Sequence, residues 1–110
     1  MEKNRRSAPR VRVTLQARWE GALGQMDAVV TDLSRSGCFV LSGGQVELRE
    51  LIWLQIHVPG GPSVEIWAEV VDQASEIGFA VRFNSTSDDD ELRLSNYIEH
   101  VLKVDPGKVS

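Results

Sequence analysis

Leu51-Ile52-Trp53-Leu54-Gln55-Ile56-His57-Val58-Pro59-Gly60-Gly61-Pro62, residues 51–62, decides the fold. Ile52, Leu54, Ile56 and Val58 fall on one side of this stretch, and Leu51, Trp53, Gln55 and His57 on the other. A repeat of two belongs to a strand with one buried face, since successive side chains of a strand point to opposite sides. Pro59-Gly60-Gly61-Pro62 then reverses the chain: proline presets its own backbone angle and glycine accepts the angles a tight turn requires. Residues 64–72 read as the returning strand. Working outward toward the N-terminus, Val11, Val13, Leu15 and Ala17 alternate with Arg12, Thr14, Gln16 and Arg18. Gly21-Ala22-Leu23-Gly24 reads as a turn, and residues 26–31 and 38–41 as two further strands, the latter broken by Ser42-Gly43-Gly44. On the other side, residues 77–83 supply a last strand after a turn near Ser75-Glu76.

Six short strands with turn signals between them predict a small antiparallel barrel or sandwich over residues 11–84. Closure into a barrel would also remove exposed strand edges. No strand–helix–strand alternation is present, which argues against a parallel nucleotide-binding sheet. The period then changes. Ser87-Asp88-Asp89-Asp90-Glu91 offers a helix N-cap followed by acids suited to the positive end of a helix. Leu94, Tyr97, Ile98, Val101 and Leu102 form one helical stripe, and Asp105-Pro106-Gly107 ends it. The spacing predicts a helix over 85–105 and a tail over 106–110, the stripe packing on the barrel or on a partner.

The 110 residues fit one domain, and a hydrophobic content of 42% is that of an ordinary globular protein. No apolar run reaches the length of a membrane span, so no membrane insertion is expected. The basic N-terminus has no apolar stretch behind it, and Cys38 is the single cysteine, so a cytoplasmic protein without a disulfide is expected. The net charge of −4 argues against DNA or RNA as a partner. Its distribution is uneven. Residues 1–18 carry six basic side chains against one acid, whereas the remainder carries six against fifteen. Such an end reads either as a solvated basic tail or as a clamp on one local anionic partner.

Catalytic chemistry finds no footing. His57 lies in a strand and His100 in the helix, neither near a nucleophile or a metal-spacing partner. Cys38 opens an apolar strand and reads as a small buried thiol. Asp88-Asp89-Asp90 lacks the spacing of a calcium loop. Ser42-Gly43-Gly44 lacks the lysine and helix of a phosphate loop. Trp19, Trp53 and Trp67 lie in strands and read as core or barrel-capping residues rather than stacking platforms. No enzyme is expected, and no cofactor.

Two segments remain. Arg6-Ser7-Ala8-Pro9-Arg10, preceded by Arg5, holds arginines in a segment that Pro9 keeps extended. The planar guanidinium fork matches phosphate oxygens and the O6/N7 edge of guanine. Asp32-Leu33-Ser34-Arg35-Ser36-Gly37 joins two strands. In an extended segment Asp32 and Ser34 would point the same way, with Leu33 toward the core. A carboxylate there accepts from the guanine N1–H and N2–H₂ edge, a hydroxyl adds a contact, and Gly37 permits a left-handed turn. Taken alone, the same residues read first as an ordinary turn between strands.

Together, Arg-x-x-x-Arg at Arg6 and Arg10, and Asp-x-Ser-x-x-Gly at Asp32, Ser34 and Gly37, resemble the signature of the PilZ domain family. Val29-Val30-Thr31-Asp32-Leu33-Ser34 resembles that family's strand leading into the loop, and Ile77-Gly78-Phe79-Ala80-Val81-Arg82-Phe83 its closing strand; the likeness covers about residues 5 to 102. The resemblance implies a six-stranded antiparallel β-barrel with one C-terminal helix that binds cyclic di-GMP. Residues 1–10 would be a flexible arm closing over the ligand, and Arg5, Arg6, Arg10, Asp32, Ser34 and Gly37 the binding residues. The residue before the first motif arginine, here Arg5, is associated in the family with how many ligand molecules bind. Arg35 and Arg82 would add positive charge nearby. The expected role is a second-messenger receptor, monomeric or weakly dimeric, that signals to a downstream effector protein. The alternative is a PilZ-like interaction module that does not bind the nucleotide.

Overall fold

The computed structural model describes residues 9–74 and 76–108. Six strands form a closed antiparallel barrel: β1 Val11–Gly21, β2 Gly24–Leu33, β3 Gly37–Leu41, β4 Leu51–Ile56, β5 Val64–Ala74 and β6 Gly78–Thr86. Around the barrel they run β1-β2-β3-β6-β5-β4, and β1 pairs with β4 to close it. The helix α1, Asp88–Val104, follows, with a short 3₁₀ turn at Pro106–Lys108. Barrel and helix are thus as the sequence predicts. The last strand ends later than expected, at Thr86, whose hydroxyl bonds the Glu65 carbonyl 2.8 Å away and holds the strand end against β5.

The period-two rows become the core. Ile52, Leu54, Ile56 and Val58 are buried, as are Val11, Val13 and Leu15, with Ile66, Ala68 and Val70 facing them from β5. The row in β1 continues to Trp19, which is 3% exposed and caps one barrel end. Its ring meets Phe79 edge-on at 5.4 Å, and its indole N–H donates to the Ser42 hydroxyl at 3.0 Å. Trp53 and Trp67 depart from the expectation that all three tryptophans fill or cap the core. Both have the opposite parity to the buried rows of β4 and β5. They therefore lie directly across from each other on the outer wall, ring centroids 5.0 Å apart.

Helix α1 begins as its sequence asks. Ser87 accepts from the Asp90 backbone N–H, and four acids occupy the first turn. Leu94, Ile98 and Val101 are buried, while Tyr97 and Leu102 are half-buried against the core. The guanidinium of Arg93 donates to the carbonyls of Val58 and Pro62, tying the helix to the β4–β5 hairpin. The antiparallel order gives the barrel two ends. One gathers the start of β1, the loop 34–36, the hairpin 57–63 and the helix. The other gathers the turn 22–23, the long connection 42–50 and the turn after β5.

Candidate functional site

The loop between β2 and β3 is built around a hydroxyl. Ser34 Oγ accepts from the backbone N–H groups of Ser36 at 3.1 Å and Gly37 at 3.2 Å. Its own proton has two acceptors in reach, the Gly37 carbonyl at 3.3 Å and the Ser36 hydroxyl at 3.1 Å. The Ser34 N–H bonds the Gly37 carbonyl at 2.9 Å, and the Phe83 N–H docks the loop on β6 through the Ser36 carbonyl at 2.8 Å. Ser34 is 5% exposed. The expectation that its side chain would point outward beside Asp32 is therefore corrected: Ser34 turns inward and shapes the loop.

The cause is a pair of bulges. Against β1, the register shifts between Arg12 and Leu15, and against β3 it shifts between Val30 and Leu33. An extra residue in a strand breaks its alternation and re-aims the side chains beside it. Val30 and Leu33, three apart, are consequently both fully buried. Asp32 is left half-buried at the rim, and its carboxylate has no hydrogen-bond or ion-pair partner among the described residues.

Gly37 needs a second correction. Its backbone angle is not left-handed, since the glycines with positive φ are Gly24 and Gly60. What position 37 requires is room: a Cβ there would fall inside the van der Waals shell of the Val81 carbonyl oxygen on β6. Glycine thus lets β3 press against β6 directly below the loop.

Arg10 is exposed and immediately precedes β1, whose first pair is Val11 with Leu33. That register brings Arg10 to the Ser34 loop. Arg5 and Arg6 lie outside the described residues. Arg12, which the alternation alone marks only as an outward strand residue, stands directly opposite Asp32. Counted back from the Gly21–Gly24 turn without a bulge, Arg12 would face Leu33; the bulge moves it by one residue. Arg82 pairs with Gly37 in register, but its guanidinium is held 2.6 Å from Glu69, which Arg49 also approaches at 3.6 Å. Arg35 is exposed in the loop. The corner therefore assembles Arg10, Arg12 and Asp32 on a loop whose shape Ser34 and Gly37 fix.

Beneath it lies Cys38. Burial, and secondarily the Asp32 carboxylate, push its thiol well above the ordinary value of 9.0. It is an inert core group, as the sequence suggests. Among the described residues no cluster of His, Cys, Asp or Glu could hold a metal ion, and no helix is long and apolar enough to cross a membrane.

The family model described as the PilZ domain matches residues 4–100. No curated protein sequence matches the chain. Among solved structures, the Bacillus subtilis inhibitor of motility MotI/DgrA is similar at 21% identity and a TM-score of 0.75, over 91% of this chain and 52% of that one. Escherichia coli YcgR in complex with c-di-GMP is similar at 15% identity and a TM-score of 0.76, over 94% of this chain and 49% of that one. The PilZ domain of CeSA from a cellulose-synthesizing bacterium gives 14% identity and a TM-score of 0.63, covering 84% and 96% respectively. The chain thus spans about half the length of the first two proteins. With a closed six-stranded barrel, the capping helix and a family match across nearly its whole length, the chain belongs to the PilZ domain family.

Proposed function

We propose that this chain is a receptor for cyclic di-GMP that binds at the corner formed by Arg10, Arg12 and the β2–β3 loop. The observation that carries the reading is Asp32: a half-buried carboxylate, raised to the rim by a bulge, without a partner among the described residues and opposite an arginine. A carboxylate so placed accepts the N1–H and N2–H₂ of a guanine, while guanidinium groups meet phosphate oxygens and the guanine O6/N7 edge. Arg10 comes to this corner through the register of β1, and Arg5 and Arg6 precede it in sequence. The family match and the ligand named for the YcgR complex support the same choice of nucleotide.

In this proposal Ser34 and Gly37 act by shaping the loop, and residues 1–10 close over the bound nucleotide. The closed arm is then read by a downstream effector protein in the cytoplasm, with the receptor monomeric or weakly dimeric and without catalytic activity. Each charge-assisted hydrogen bond contributes about 1.5–3 kcal/mol, so a few of them offset the ordering of the arm and leave roughly micromolar affinity. Titration calorimetry with cyclic di-GMP tests this. Asp32→Asn keeps the shape and removes the charge; it and Arg10→Ala, and Arg6→Ala, should each weaken binding at least about tenfold. Unchanged affinity in Asp32→Asn and the arginine variants would remove the mechanism. Absence of any binding by a folded barrel would favour an interaction module that does not use the nucleotide.

A further inference from the structure

The opposite end of the barrel carries a second feature, which none of the binding residues above touches. A cavity of about 890 Å³ opens there between the turn 22–23, the connection 42–50 and the β5–β6 turn. Its apolar lining includes Val46 and Phe79, the latter packed edge-on against Trp19. Gly44 lies so close over the Trp19 ring that a Cβ there would collide with it, so the mouth is concave rather than domed.

All three chain reversals at this end expose a large aliphatic side chain. Leu23 is 80% exposed, Leu48 56% and Ile77 61%. Leu23 and Leu48 line the cavity, and Ile77 sits between two lining residues, Glu76 and Gly78. Turns ordinarily favour Gly, Pro, Asn, Asp and Ser. The hairpin at the ligand end obeys this, with Pro59-Gly60-Gly61-Pro62-Ser63. Exposed aliphatic residues at three reversals of one barrel end, two of them lining the same cavity, are a feature of the kind that marks an interaction site.

The rim fixes the sign of the partner. Glu47, Glu50 and Glu76 line the opening, and none has an ion-pair partner among the described residues. The one lining cation among the described residues, Arg49, is paired with Glu69. Its guanidinium stands 3.6 Å from Glu69, which offsets part of its charge, so the three lining glutamates outnumber it. Glu50 also fixes the mouth, accepting from the N–H groups of Ala22 at 2.9 Å and Glu47 at 3.0 Å. An apolar floor inside a negative rim is complementary to an aliphatic anchor flanked by Lys or Arg. It repels nucleic acid and anionic lipid alike.

We infer that this end of the barrel is a docking site for a basic, amphipathic segment of a partner protein, separate from the nucleotide corner. The site stands whether or not cyclic di-GMP binds at the other end. It is tested with two labelled helical peptides, one of Leu and Lys and one of Leu and Glu, titrated at low salt by fluorescence anisotropy, with amide shifts mapped by NMR. The Leu/Lys peptide should bind and perturb the amides around Ala22–Leu23 and residues 44–50. The double substitution Leu23→Ser and Leu48→Ser changes only exposed side chains and should weaken binding about tenfold or more. Glu47→Lys with Glu76→Lys should do the same. Failure of the Leu/Lys peptide to bind, equal binding by the Leu/Glu peptide, or indifference to these substitutions would overturn the proposal. So would shifts confined to the Trp53–Trp67 wall, or binding of anionic phosphatidylglycerol vesicles through the same leucines.

Discussion

Ser34 shows how one side chain carries two kinds of information. Its hydroxyl accepts from the N–H groups of Ser36 and Gly37, so Ser34→Ala leaves two backbone donors of a part-buried loop without that acceptor. The expected loss is about 1–3 kcal/mol in denaturant unfolding, together with weaker cyclic di-GMP binding because the loop no longer holds Asp32 in place. Gly37→Ala should cost about as much, from overpacking against the Val81 carbonyl, and circular dichroism melting reads it directly. Cys38 gives a dependence on pH. Its thiol, raised by burial and then by Asp32, stays protonated in the folded chain when the unfolded chain has lost its proton. The folded state then binds more protons than the unfolded one, so stability falls as pH rises beyond the ordinary thiol value of 9.0. Tyr97, raised by burial, acts in the same direction. Denaturant midpoints taken from neutral to alkaline pH should therefore decline, and decline less steeply in Cys38→Ala. An identical slope in that variant would show that the thiol is not the group responsible.

Among the elements, helix α1 and strand β2 differ in how openly the sequence declares them. The helix is announced by its Ser87 cap, four acids and a regular stripe; Ser87 accepts from the Asp90 N–H and the stripe packs on the core. Leu94→Ala on that stripe should cost about 2–5 kcal/mol, measured by chemical unfolding, since the side chain is 3% exposed and leaves a cavity. The rows 52–58 and 64–70 are equally plain, because alternation holds through both, although β5 loses it beyond Val70. Strand β2 is not plain. Residues 28–33 read Ala-Val-Val-Thr-Asp-Leu, apolar enough that no period marks where the bulges fall. The motif positions could be picked from sequence, yet the inward turn of Ser34 and the pairing of Arg12 with Asp32 could not. Both depend on one extra residue in a ladder, and local composition does not record register. Similarly, Gly37 offers sequence reasoning only its freedom from a side chain. Whether that freedom serves a backbone angle or a close approach is decided by β6, forty-odd residues further along.

For the molecule as a whole, antiparallel closure separates two chemistries by the length of the strands. The corner proposed for the nucleotide holds Arg10, Arg12 and Asp32, and the acidic mouth lies at the far end. Cyclic di-GMP affinity should fall as salt is raised, since attraction between exposed guanidinium and phosphate groups is screened. At a ligand concentration about a hundred times the dissociation constant, occupancy should stabilise the fold by about 2.7 kcal/mol, visible as a raised melting temperature. The Leu23→Ser, Leu48→Ser variant should keep that increment in full, and Asp32→Asn should lose it.

Gly37 and Gly78 sit at opposite ends of the same seam, the first against the Val81 carbonyl of β6 and the second against the Val40 carbonyl of β3. Two such tight spots act like dowels: neither strand can slide past its neighbour without driving a carbonyl into a backbone. In heavy water, the amide protons of this seam should be the last in the barrel to be replaced by deuterium.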